Sequence, residues 1–186
     1  MGVTLAKGGN VSLSKAAPNL TQVMIGLGWD ARSTTGADFD LDASALLCNG
    51  GRVLGDEWFI FYNQLKSPDG SVEHTGDNLT GEGEGDDEVI NVDLANLSKD
   101  VQSLVFVVNS FSGQKFTAVR NAFCRLVDDV SNQELVRFDL SDSKPQTGLV
   151  MCKIQRADTG WVMTAIGEFH DGKTVRAMVD PAKRYL

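Results

Sequence analysis

From Val23 to Phe169 the chain alternates short β-prone runs with turn signals, so its apolar residues can be buried only by pairing strands. Val23–Trp29 reads as an early strand. In Phe39–Leu47 the apolar residues Phe39, Leu41, Ala43, Ala45 and Leu47 share one face. Trp58–Tyr62 is strongly β-prone, and Ser67-Pro68-Asp69-Gly70 has Pro and Gly where a turn favours them. Val89–Leu94 alternates again, and Val105–Val108 is wholly apolar, as a strand buried on both faces would be. Ala122–Val127, Glu134–Leu140, Gly148–Gln155 and Trp161–Phe169 continue the series. Helix is scarce: one turn over Phe116–Arg120, and a short C-terminal helix capped at Asp180 with Pro181 at its first position. Many short strands at this spacing imply a sandwich or a barrel.

No linker or internal repeat interrupts this pattern, and residues 1–186 are expected to form one domain. The net charge of -8 argues against nucleic acid as a direct partner, because phosphates would be repelled. The three cysteines, Cys48, Cys124 and Cys152, are widely spaced and form no Cys-x-x-Cys pair. That points to a reducing compartment and away from structural zinc. No apolar run is long enough to span a bilayer, and the N-terminus lacks the pattern of a signal peptide. A cytoplasmic protein is expected.

The compositionally odd stretch is Gly76–Glu88. It carries the carboxylates Asp77, Glu82, Glu84, Asp86, Asp87 and Glu88 among four glycines, with no basic residue. Glycine allows the tight reversals that turn several oxygens towards one centre, and calcium takes six to eight oxygen ligands at flexible angles. A solvated acidic loop is the plainer alternative.

A second acidic feature lies in the strand around Asp38, Asp40 and Asp42, where carboxylates alternate with the core-facing residues. Residues two apart on a strand share a face and lie roughly 6.5–7 Å apart. Like charges at that spacing repel by about 0.6 kcal/mol in water and about 2.4 kcal/mol at an effective dielectric of 20. A cation would relieve this; a polar-out strand face is the alternative. The spacing is not that of an EF-hand, because Ala43 stands where the sharp-turn Gly belongs and Asn49 where the bidentate Glu belongs. The donors are hard oxygens, so calcium is expected ahead of magnesium and transition metals.

These motifs are similar to those of a known family. Leu5–Leu13, Gly26-Leu-Gly-Trp-Asp30, Phe39-Asp-Leu-Asp-Ala-Ser-Ala45, Ser67–Val72, His74–Glu88 and Val119-Arg-Asn-Ala-Phe123 resemble the TerD family of bacterial tellurium-resistance and stress-response proteins over nearly the whole chain. The resemblance implies an all-β fold, a β-sandwich of two mostly antiparallel sheets with little helix. It also implies calcium binding, with more than one ion, and roles in tellurite resistance, phage inhibition and colicin resistance. By motif match, the implied metal ligands are Asp40, Asp42, Asp77, Asn78, Glu82, Asp86, Asp87 and Glu88. Other tellurite-resistance proteins, a membrane component among them, are candidate partners, with recruitment to the inner membrane surface.

Enzymatic readings fare less well. There is no Gly-x-Ser-x-Gly elbow and no P-loop. A carboxylate-pair hydrolase wants an aromatic-lined cleft, and aromatic residues are only 8% of this chain. A calcium-dependent phospholipid- or anion-docking domain is the alternative binding function, since bound calcium reverses the local charge. Cys124 and Cys152 are expected in the core, and Cys48, at a strand end, is expected to be the more exposed thiol. His74 reads as a surface strand residue beside the acidic loop.

Overall fold

Two sheets stacked face to face enclose the core in the computed structural model, which describes residues 2–31, 41–76, 85–140 and 142–186. The chain begins with β1 (Val3–Leu5), β2 (Asn10–Ser12), the short helix α1 (Leu13–Ala16) and β3 (Gln22–Ala31). It continues through β4 (Leu41–Asn49), β5 (Arg52–Val53), β6 (Phe59–Ile60), β7 (Val72–His74), β8 (Glu88–Asp93) and β9 (Ser103–Ser110). The last elements are β10 (Val119–Asp128), β11 (Gln133–Asp139), β12 (Gly148–Ala157), β13 (Gly160–His170) and α2 (Val175–Lys183).

The six-stranded sheet runs β1-β11-β10-β3-β8-β7, and the seven-stranded sheet runs β2-β13-β12-β9-β4-β5 with β6 also paired to β4. Every pairing is antiparallel except β1 with β11. This is the expected all-β sandwich. Alternation decides what lies between the sheets. Val23, Ile25, Leu27 and Trp29 of β3 meet Leu41, Ala43, Ala45 and Leu47 of β4 and Leu104, Phe106 and Val108 of β9 in one continuous core.

The outer face of the seven-stranded sheet is also covered. Val175, Met178 and Ala182 of α2 pack on Leu46, Cys48, Val105, Val107 and Val150. β9 is therefore apolar on both faces, which is why Val105–Val108 lacks alternation.

Two local expectations are corrected. α2 begins at Thr174, whose side chain accepts from Ala177 N–H at 3.3 Å, and Pro181 lies inside the helix rather than at its start. The buried spacing of Val175, Met178 and Ala182 outweighs the helix cost of a proline in the last turns. The Trp58–Tyr62 run is broken: Asp56–Trp58 forms a 3-10 turn, and only Phe59–Ile60 pairs with β4. Gln64 stops the strand. Its side-chain amide donates to the carbonyls of Asp56 and Phe59, and its backbone exchanges hydrogen bonds with Phe61. The Ser67–Gly70 turn forms as expected, with Gly70 at φ 73° donating to Ser67 O. Phe116–Ala118 forms the expected single turn, as a 3-10 helix.

Candidate functional site

Among the predicted ligands, Asp42, Asp86, Asp87 and Glu88 are described; Asp40, Asp77, Asn78 and Glu82 lie outside the described residues. The four described carboxylates gather around β3, β4 and β8, but they do not share one face.

Glu88 opens β8 on the core-facing side, in step with Ile90 and Val92. Its side chain is 1% exposed, and its Oε2 accepts from the backbone N–H of Ala43 in the opposite sheet. The exit of the acidic loop is thereby joined to the Asp-Leu-Asp strand, although 45 residues separate the bonded pair. The two acidic segments are thus brought together at one end of the sandwich. A charge-assisted bond to a backbone N–H is among the stronger hydrogen bonds, and here it ties the sheets across the core.

His74 completes this corner. It is 1% exposed, so the expectation of a surface position is corrected. Its Nδ1 accepts from Gly76 N–H at 3.1 Å, which leaves the proton of the neutral ring on Nε2. Nε2 lies 3.4 Å from Glu88 Oε2. One imidazole therefore sits between the strand that enters the acidic loop and the carboxylate where the chain leaves it, bonded to the first and close to the second without a formed hydrogen bond. β7 pairs with β8 at His74↔Ile90, which places His74 on the inward face. The core-facing alternation of Val72 and His74 is the sequence signal that would have found it.

Asp86 and Asp87 sit on the other side of β3. Asp86 is held by Arg125 through Nε at 2.8 and 3.1 Å and Nη2 at 2.9 Å. Gly26 makes this possible: a Cβ there would stand 2.2 Å from the Asp86 carboxylate. Asp87 Oδ2 accepts from Trp29 N–H at 2.7 Å, and Asp87 N–H donates to Leu27 O. Burial pushes the Asp87 carboxyl above its ordinary pKa; the Trp29 hydrogen bond opposes that, and the charges of Asp30 and Asp86 add to it. Asp30 is itself tied to Asn121 Nδ2 at 2.6 Å, at a β-bulge where Asn121 adopts φ 52°.

Asp42 projects from β4 on the face opposite to its core residues. It is buried and accepts from Asn109 Nδ2 at 3.0 Å, directly across the β4–β9 pair. Among the described residues no three His, Cys, Asp or Glu side chains are grouped to hold a metal ion. What they provide is one end of the sandwich lined with hard oxygen donors. One of those, Asp87, is disfavoured as an anion by burial and by neighbouring carboxylates, and a cation would reverse that. The donor chemistry fits calcium or magnesium and not a thiophilic metal.

The cysteines are remote from this chemistry. Cys124 and Cys152 face each other across the core with their Sγ atoms 3.5 Å apart. Cys48, expected to be exposed, is fully buried under α2, and burial pushes its thiol up to about 12. We expect none of the three thiols in the folded chain to react with iodoacetamide at pH 8 within an hour, and all three to react in denaturant. Alkylation of the native protein detected by mass spectrometry would contradict this.

Among the described residues no helix is long and apolar enough to cross a membrane. Comparison with known proteins places the architecture and sequence together. The model of the TerD domain matches residues 1–180. The chain is 50% identical over 178 residues to "Tellurium resistance protein TerD" of Serratia marcescens, covering 92% of this chain and 93% of that one. It is 41% identical over 187 residues to "General stress protein 16U" of Bacillus subtilis (strain 168), covering 97% of each. A solved homologue of telluride resistance protein (TerD) from Streptomyces coelicolor A3(2) superposes with a TM-score of 0.73 at 20% identity, covering 88% of this chain and 98% of that one, and shows the same fold. The sandwich, the motifs along it and these matches agree: the chain belongs to the TerD family of tellurium-resistance and stress-response proteins.

Proposed function

We propose that this chain is a non-enzymatic calcium-binding module of a tellurite-resistance and stress-response system, acting as a calcium-dependent interaction or scaffold protein. The observation that carries the reading is the bond from Ala43 N–H to Glu88, which brings the acidic loop's exit beside the Asp-Leu-Asp strand. The raised Asp87 carboxyl supports it, since a cation bound there would favour the anion that burial and the Asp30 and Asp86 charges disfavour.

The residues that would hold calcium are Asp40, Asp42, Asp77, Asn78, Glu82, Asp86, Asp87 and Glu88. They do not all present their oxygens on one side of β4, which favours more than one ion. Arg125 competes with any ion for Asp86, so that residue contributes less than Asp87. Glu88 and His74 act chiefly by closing the base of the loop. When bound, the ion would supply positive charge that neutralises the carboxylates; no reaction step is required of it.

Isothermal titration of the chelator-stripped protein should return saturable calcium binding with a stoichiometry above one and weaker binding of magnesium. Heats indistinguishable from dilution at millimolar calcium would overturn the reading.

A further inference from the structure

We propose that the outer face of the seven-stranded sheet carries a binding pocket for a protonated primary amine on a short apolar body. The pocket has a volume of about 210 Å³ and lies between β4, β9 and the start of α2. Asp42, Ser44 and Asn109 form its floor, and Phe61, Tyr62 and Phe111 stand around it.

The floor is built from acceptors. Asp42 and Ser44 are two apart on β4 and share a face, and Asn109 lies opposite Asp42 on β9. Asn109 spends its amide hydrogens on Asp42 Oδ2 at 3.0 Å and on Lys173 O at 3.1 Å. Both partners are acceptors, so the orientation of the amide is settled, and Asn109 Oδ1 is left with no hydrogen-bond partner. Ser44 Oγ is likewise without one, and the two residues are 2% and 1% exposed. Buried polar atoms without partners are costly, and two on one pocket floor call for a ligand that donates. An ammonium group has three N–H donors, for Asn109 Oδ1, Ser44 Oγ and the carboxylate of Asp42.

The walls suit the rest of such a molecule. Phe61 and Tyr62 meet edge to face at 5.4 Å, Tyr62 and Phe111 at 6.3 Å, and Phe111 is 54% exposed. Aromatic faces above a carboxylate attract an organic cation and cover its alkyl chain. Arg176 at the rim is held by Asp56 at 2.5 Å, which offsets its charge near the entrance. The aromatic walls give an organic body apolar surface to pack on, and an ammonium here would compete with calcium for Asp42.

The amine could be a free metabolite or a lysine side chain of another protein, and the test separates them. Amide chemical shifts are followed in 15N-labelled protein in chelator and again in calcium, because both readings use Asp42. The probes are n-butylammonium, its neutral isostere n-butanol, and acetyl-Gly-Lys-Gly-amide. The expected result is a saturable shift of the Ser44, Asn109 and Phe111 amides by n-butylammonium, with n-butanol at least ~10-fold weaker. Peptide binding at the same amides would assign the source to a protein lysine, and its absence beside n-butylammonium binding would assign a free amine. Ser44→Val and the exposed-wall variant Phe111→Ala should each weaken binding at least ~5-fold while keeping the calcium response. Equal affinity for n-butanol, shifts lying away from this floor, or unaltered affinity in Phe111→Ala would overturn the proposal. Failure of calcium binding alone would leave it standing.

Discussion

In millimolar calcium the protein is expected to melt about 5–10 °C above its melting temperature in chelator. Binding to the folded state alone stabilises it by RT ln(1 + [L]/Kd), about 2.7 kcal/mol at a hundredfold excess over Kd. In a domain of this size each kcal/mol moves the midpoint by about 2–4 °C. The gain has a clear origin in the structure. Without metal, Asp87 is partly buried near the charges of Asp30 and Asp86, and burial holds its carboxyl above the ordinary range. A raised carboxyl pKa means the folded chain is favoured when that group is protonated. Its contribution is therefore present below the ordinary Asp range and is lost as pH rises through the raised value. Bound calcium would reverse the penalty at neutral pH by favouring the anion. Asp40→Asn combined with Asp42→Asn should remove most of the rise, whereas Glu84→Gln should change it little. A differential scanning calorimetry trace that is the same in chelator and in calcium would sink the calcium reading.

The largest effect of one substitution is expected at His74. His74→Ala deletes the imidazole beside the buried Glu88 carboxylate and removes the acceptor of the Gly76 N–H. Leaving a buried polar group without its neighbour costs about 1–3 kcal/mol, and a lost hydrogen bond to a partly buried N–H adds about 1 kcal/mol. We expect a loss of about 2–4 kcal/mol in urea denaturation, with the slope unchanged. The same variant should weaken calcium binding, because His74 and Glu88 hold the entry and exit of the acidic loop together. A destabilisation below 1 kcal/mol would overturn this role for His74.

Much of the strand framework was readable along the chain. The alternation at Leu41, Ala43, Ala45 and Leu47 and the apolar run Val105–Val108 correspond to the core faces observed. Where reading failed, a tertiary contact overrode a local signal. Pro181 suggested a helix start, but the helix follows the buried spacing of Val175, Met178 and Ala182. Trp58 looked like strand until the Gln64 side chain claimed the carbonyls that a longer strand would have paired. Cys48 stood beside a Gly-rich turn, and only α2 packing over it made it inert.

The candidate site was legible in composition but not in arrangement. Carboxylates at Asp40, Asp42 and along Asp77–Glu88 are enough to suggest a hard cation, because ligand softness is a property of residue type. Nothing in the spacing could show that Arg125 would capture Asp86, since that needs β10 beside β3 and a side-chain-free Gly26 over which the carboxylate lies. The alternation along β4 did place Asp42 away from the core, but nothing in the spacing showed that Glu88 faces into it. The sequence by itself determined the strand periodicity, the hard-oxygen chemistry and the family, because each depends on local pattern and residue type. Only the tertiary structure decided which carboxylates meet and that His74 is buried beside Glu88. It also decided that Ser44 and Asn109 line a pocket, because those facts depend on which strands pair and which faces the pairing buries.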